Sequence, residues 1–227
     1  SGVLRQLAGT GSTLGVVPLG TVNHFARELG IPNDWEAALD IALHGEVREI
    51  DTALINGRHF INAVHIGFYP EVFRAREAMR KRYTKWRAFA IALRIAYRRF
   101  PQVALVVETD SDMTTVHTPF FVVSVNAYDF EQHQLIVTKQ ELDAGRLTVY
   151  WLERRRRADF IRAIWLYLRG QVDRIEGLRR IHTRELRLQT SHETLRVAID
   201  GELEALGSPI QIRIVPQSLR VKVPRVQ

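Results

Sequence analysis

The run Val47-Arg48-Glu49-Ile50-Asp51-Thr52-Ala53-Leu54-Ile55-Asn56-Gly57-Arg58-His59-Phe60-Ile61-Asn62-Ala63-Val64-His65-Ile66 decides what kind of chain this is. Two stretches rich in β-branched and aromatic residues flank Asn56-Gly57, a pair that accepts positive φ and so favours the tight turn joining antiparallel strands. The spacing predicts strands over 47–55 and 59–66. Working outward, further β-rich runs lie at 103–109, 115–126, 147–152, 182–189, 194–200, 210–215 and 219–223. A long helical stretch, about 71 to 100 and ended by Pro101, and a helix over about 158–168 interrupt them. Strands in succession with two inserted helices predict an antiparallel β-sandwich rather than a doubly wound parallel sheet.

Upstream of this run the pattern differs. Residues 3–7 read as the end of a helix stopped by Gly9-Thr10-Gly11, and 14–18 as a short buried strand. Gly20 makes a tight turn, Thr21 or Asn23 caps a helix reaching Leu29, and Gly30 and Pro32 end it. A second helix is expected from Asp34 to about Leu43. The fold class is therefore α+β. Residues 1–45 form a remnant of an α/β domain. Residues 46–227 form a mostly antiparallel β-sandwich with inserted helices, whose last strand can return towards the first part.

The 227 residues are 46% hydrophobic, with 14 Gly and 8 Pro, which excludes disordered and collagen-like classes. There is no Cys, so thiolate nucleophiles, disulfide scaffolds and Cys-ligated zinc are excluded. A net charge of +7 favours an anionic partner. The chain opens on Ser1 rather than Met and is expected to lack its true N-terminus. No run of apolar residues is long enough to span a bilayer.

Two stretches could carry chemistry. In Val16-Val17-Pro18-Leu19-Gly20-Thr21-Val22-Asn23-His24-Phe25-Ala26-Arg27, Gly20 allows close approach to the backbone and the helix start offers free N–H groups to a phosphate. An ordinary capped turn would read the same way, and the spacing is not that of a P-loop. In Ile199-Asp200-Gly201-Glu202, Asp-Gly is a hairpin signal, but a second carboxylate follows at once. Such a pair can hold Mg²⁺, or one acid can accept a proton while the other orients a nucleotide. The eight His residues form no ligand set of the His-Glu-x-x-His kind, and no Gly-x-Ser-x-Gly elbow is present.

The segment 18–27 resembles the Pro-x-Gly-Thr-x-Asn-Asp-Phe-Ala-Arg motif of the diacylglycerol kinase catalytic-domain family, which includes bacterial lipid kinases and sphingosine kinases. Phe60-Ile61-Asn62 through Gly67-Phe68, Ser124-Val125-Asn126, residues 142–149, Asp200-Gly201-Glu202, and Val215-Pro216 with 219–224 resemble later motifs in the family's order. The resemblance implies a two-domain, ATP- and Mg²⁺-dependent lipid kinase of phospholipid metabolism, with this chain lacking most of the nucleotide domain and inactive alone. It implies Asp200 as catalytic base, nucleotide contacts at Gly20, Thr21, Asn23 and Glu202, and metal carboxylates at Asp200 and Asp143. Three departures stand out: His24 replaces the family's Asp, Ala144-Gly145 replaces Asp-Gly, and Ala127-Tyr128-Asp129-Phe130-Glu131 replaces a glycine-rich stretch. An NAD kinase-like enzyme, or a non-catalytic lipid- or nucleotide-sensing module, is the alternative.

The helical stretch 74–100 is strongly basic. On one continuous helix Arg80, Arg87, Arg94 and Arg98 line a stripe, and Trp86, Phe89, Ala90, Leu93 and Tyr97 line another. This suits an anionic membrane surface, though the apolar stripe could equally pack on the sandwich. The expected partner is a lipid substrate at such a surface and no nucleic acid, with a homodimer also compatible. The expected location is cytoplasmic and peripherally membrane-associated.

Overall fold

The computed structural model describes residues 2–20, 23–80, 82–130, 138–139, 141–153 and 156–225. The N-terminal part holds α1 (Gly2–Leu7), β1 (Thr13–Leu14), α2 (His24–Glu28) and α3 (Trp35–His44). Then follow β2 (Glu46–Ile55), β3 (Arg58–Phe60), β4 (Ala63–Gly67), α4 (Phe68–Arg80), α5 (Lys85–Arg99), β5 (Val103–Thr109), β6 (Met113–Thr118) and β7 (Phe120–Val125). The chain continues through β8 (Tyr128–Asp129), β9 (Thr138–Lys139), β10 (Leu147–Leu152), α6 (Arg157–Leu168), β11 (Leu178–Thr183) and β12 (Glu185–Gln189). It closes with β13 (Thr194–Ile199), β14 (Glu202–Gly207) and β15 (Ile210–Val223).

Asn56 and Gly57 take φ of 46° and 81°, and the tight turn they make pairs β2 with β3 in antiparallel register. One sheet has the order β3-β2-β15-β12-β5-β6, with β1 added in parallel to β15; the other has the order β11-β10-β7-β4-β13-β14. The α+β architecture with mostly antiparallel sheets is therefore present. Along β15, Ile210, Ile212 and Ile214 are buried while Gln211 and Arg213 are exposed, the period-two alternation of a strand with one face in the core. These residues meet Val64, Ile66, Phe121, Val123, Leu147, Val149 and Val197 of the facing sheet. The space between the sheets is filled by this packing.

A second, smaller core lies at the N-terminal end, where Ala26, Leu29, Ile31 and Ala38 pack on Ile50, Leu219 and Val221. The last strand serves both cores. It is irregular between Val215 and Leu219, and there Gln217 takes φ 48°. The buried carboxylate of Asp51 holds this irregularity, accepting hydrogen bonds from Gln217 N–H (2.9 Å), Gly145 N–H (2.7 Å) and Asn126 Nδ2 (3.1 Å). A buried carboxylate with three donors is the arrangement in which burying the charge is tolerable.

Several elements differ from the sequence reading. The stretch 71–100 is two helices, because the chain turns after α4 with Arg82 and Tyr83 N–H both bonded to Met79 O, and Thr84 is extended before α5. Ala88, Ala92 and Ala96, fully buried along one face of α5, let the two helices approach closely. Arg80 therefore ends α4 and shares no helix with Arg87, Arg94 and Arg98. Residues 115–126 divide at Pro119, 182–189 divide into the ends of β11 and β12, and β14 was not anticipated.

Candidate active site

Asp200 and Gly201, with φ of 48° and 84°, form the tight turn between β13 and β14. This is the bland expectation for Asp-Gly, yet the carboxylate also does something specific. Its Oδ1 accepts the N–H groups of Asn62 (2.8 Å) and Ala63 (3.2 Å), and its Oδ2 that of Ile61 (3.0 Å). The Asp200 N–H in turn donates to Ala63 O (3.0 Å). A carboxylate offers about four acceptor positions. Three are taken by this segment, which leaves room on Oδ2 for one more donor. Burial raises the Asp200 pKa above its ordinary value, opposed by the three N–H groups and by the charge of Lys139.

Lys139 lies on the other side of the same segment. Its Nζ donates to Ile61 O (3.1 Å) and Asn62 O (3.4 Å) and stands 3.9 Å from Glu28 Oε2. Burial pulls its pKa below the usual value for lysine, while Glu28, Asp200 and Asp51 pull it back up. Glu28 is on α2, the helix that follows the glycine turn, and its Oε1 is 3.3 Å from His24 Nδ1. The turn at the start and the acidic turn near the end are thus brought together through Glu28, Lys139 and residues 61–63.

The glycine turn is closed by Asn23, whose Oδ1 accepts from Gly20 N–H (2.8 Å) and whose Nδ2 donates to Pro18 O (3.2 Å). A side chain at position 20 would press on that Asn23 oxygen, so Gly20 keeps the turn narrow. Asn23 also precedes α2 in a left-handed conformation, φ 50°. Thr21 lies outside the described residues. Glu202 begins β14 and is exposed, just beyond the turn.

Asp143, expected as a metal carboxylate, accepts a hydrogen bond from Arg48 at 3.1 Å and is partly exposed. Among the described residues no group of three or more His, Asp or Glu gathers as a metal site. A protein-held metal therefore does not fit the described residues around Asp143. Lys139, Glu28 and Asp51 were missed by sequence reasoning. Each is a lone charged residue in an unremarkable local pattern, and only tertiary contact reveals it.

On the outer side of the helices, Trp86 is 81% exposed, and Phe89, Leu93 and Tyr97 of α5 are exposed in line with it. Arg87, Arg94 and Arg98 are exposed beside this stripe. The apolar stripe thus does not pack on the sandwich, and it is the alanine face of α5 that packs, against α4. On α6, Ile161, Trp165 and Leu168 are exposed as well. No helix among the described residues is long and apolar enough to cross a membrane.

The structure therefore links the glycine turn before α2 to the Asp200 turn of the two-sheet β-structure through Glu28, Lys139 and residues 61–63. Comparison with known proteins makes this specific. Residues 1–55 match the family model described as the diacylglycerol kinase catalytic domain, and residues 62–223 match that of the YegS C-terminal NAD kinase β-sandwich-like domain. The chain belongs to the diacylglycerol kinase family. It is 28% identical over 194 residues to a diacylglycerol kinase of Bacillus subtilis, covering 84% of this chain and 62% of that protein. It is 30% identical over 163 residues to one of Staphylococcus aureus, covering 70% of this chain and 50% of that protein. The chain thus spans about half to three fifths of these relatives. A solved structure from Bacillus anthracis, assigned to the diacylglycerol kinases, superposes with a TM-score of 0.73 at 21% identity, covering 97% of this chain and 73% of that one. That likeness concerns the fold.

Proposed function

We propose that this chain belongs to a lipid kinase that transfers the γ-phosphoryl group of Mg²⁺·ATP to a hydroxyl of a lipid lying in an anionic membrane. The observation that carries the reading is the buried Asp200 turn, joined to the start of α2 through Lys139 and Glu28. Phosphoryl transfer depends mainly on positioning and charge neutralisation rather than covalent chemistry. Gly20 and Asn23 shape the turn that receives the nucleotide, Thr21 is a further nucleotide contact, and Glu202 contacts the nucleotide or its magnesium. Asp200, with one acceptor position open and a raised pKa, takes the proton of the substrate hydroxyl. Mg²⁺ arrives with ATP and neutralises the phosphate charge.

The lipid half of the reading is supported by the exposed α5 stripe. Aromatic residues bordered by arginine suit the interfacial zone of an anionic bilayer, and a nicotinamide substrate would need no such surface. Each basic residue near such a surface contributes about 1 kcal/mol. Replacing Arg87, Arg94 and Arg98 together by Ala should lower affinity for phosphatidylserine-containing vesicles by roughly 100-fold, as read by vesicle co-sedimentation. Trp86→Ala should weaken binding to neutral and anionic vesicles alike. Equal binding of the wild-type chain to neutral and anionic vesicles would remove the electrostatic part of this proposal.

A further inference from the structure

Three carboxylates act electrostatically on Lys139: Glu28 on α2, which stands 3.9 Å from its Nζ, Asp51 on β2 and Asp200 at the β13–β14 turn. Asp51 and Asp200 each accept three hydrogen bonds. Glu28 is different. Its side chain is 2% exposed, and Oε1 has no aligned hydrogen bond among the described residues. The Lys139 side chain is 1% exposed and directs its Nζ towards two backbone carbonyls and the Glu28 carboxylate. Those carbonyls belong to Ile61 and Asn62, whose N–H groups bind Asp200. The segment is held from one side by an anion on its N–H groups and from the other by a cation on its carbonyls.

We propose that Lys139 is a positioning residue, an internal cation that fastens α2 to the segment carrying Asp200 and does without a bound metal the charge neutralisation this region needs. A fixed ammonium ion with carbonyl and carboxylate acceptors around it is chemically the arrangement a small cation would otherwise occupy. The nearby Asp143 is turned to Arg48, and the described residues assemble no ligand set. Its consequence for catalysis rests on the proposed kinase reading; its structural consequence does not.

The test therefore begins with the chain's stability. Lys139→Met leaves the Glu28 charge buried without its cation, so the melting temperature should fall by roughly 10 °C. Lys139→Met combined with Glu28→Met removes both charges and should recover most of the loss. Hydrogen exchange in the single variant should accelerate in peptides covering 23–29 and 61–63 and stay unchanged in 147–152. The melting temperature of the wild-type chain should be the same in EDTA and in millimolar Mg²⁺. If Lys139→Met does not fold, folding of the double variant supports the proposal and its failure overturns it. A uniform rise in exchange, a double variant no better than the single, or a loss of stability in EDTA would also overturn it. In the full-length kinase the single variant should raise KM for ATP more than it lowers kcat. An unchanged KM with the stability results intact would count against the kinase reading alone.

Discussion

Asp200→Asn in the full-length kinase should lower kcat by about 10²–10⁴-fold while leaving vesicle binding unchanged. A positioned general base contributes on that order, and the amide cannot take the substrate proton. The substitution is close to isosteric but not neutral for the fold. One amide atom becomes a donor facing an N–H of residues 61–63, at a cost of about 1–3 kcal/mol. The pH dependence has a definite sign. The Asp200 pKa is raised above 3.8, with burial as the largest cause. Base function is lost as pH falls through that raised value, so the acid limb of kcat/KM should lie on the neutral side of 3.8. Because the native pKa is the higher one, protonation of this group favours the fold, an advantage lost as pH rises through the raised value. Activity of the Asn variant within threefold of wild type would remove Asp200 from the chemistry.

The largest stability effect is expected at Gly67. This residue ends β4 with φ 92°, and a Cβ there would stand 2.9 Å from the carbonyl carbon of Pro119 and closer still to its oxygen. That oxygen already accepts the N–H of Phe68 (2.8 Å), the first residue of α4. Gly67→Ala combines a strained backbone with a backbone clash, and neither neighbour is a flexible side-chain end. Each contributes about 1–3 kcal/mol. The sum, roughly 3 kcal/mol or more, corresponds to a fall in melting temperature of about 6–12 °C for a chain of this size. Thermal unfolding followed by circular dichroism measures it. A change under 2 °C would mean that the β4–α4 junction is not held as described.

These two residues show how much of the molecule was readable beforehand. The motif pieces Gly67-Phe68 and Asp200-Gly201-Glu202 are local patterns with local physical causes: Gly67 takes a backbone conformation that other residues resist, and Asp200-Gly201 makes a tight turn. Phe60-Ile61-Asn62 is a local pattern too, but its cause is distant, the Asn62 N–H finding its acceptor in Asp200. The helix expected from Asp34 is present as α3, and the Asp34 side chain caps it by accepting Ala37 N–H at 2.9 Å. What could not be read depends on contacts distant in sequence. Glu28 and Lys139 are 111 positions apart (139 minus 28) and meet only because α2 docks on the sandwich. The division of the long basic stretch into α4 and α5 has no proline or glycine to announce it. It follows from the alanine face of α5 packing back on α4, which propensity alone does not register. The irregularity in β15 depends on Asp51, more than 160 residues upstream.

The fate of the transferred phosphate separates a lipid acceptor from a nicotinamide one. The direct measurement is to incubate the full-length protein with radiolabelled Mg²⁺·ATP and mixed vesicles of diacylglycerol and phosphatidylserine, with NAD present in the same reaction, and to separate the products. Label is expected in the lipid fraction, absent from NADP and abolished by Asp200→Asn. Label in NADP, or ATP bound without transfer to either acceptor, would overturn the assignment of a lipid kinase.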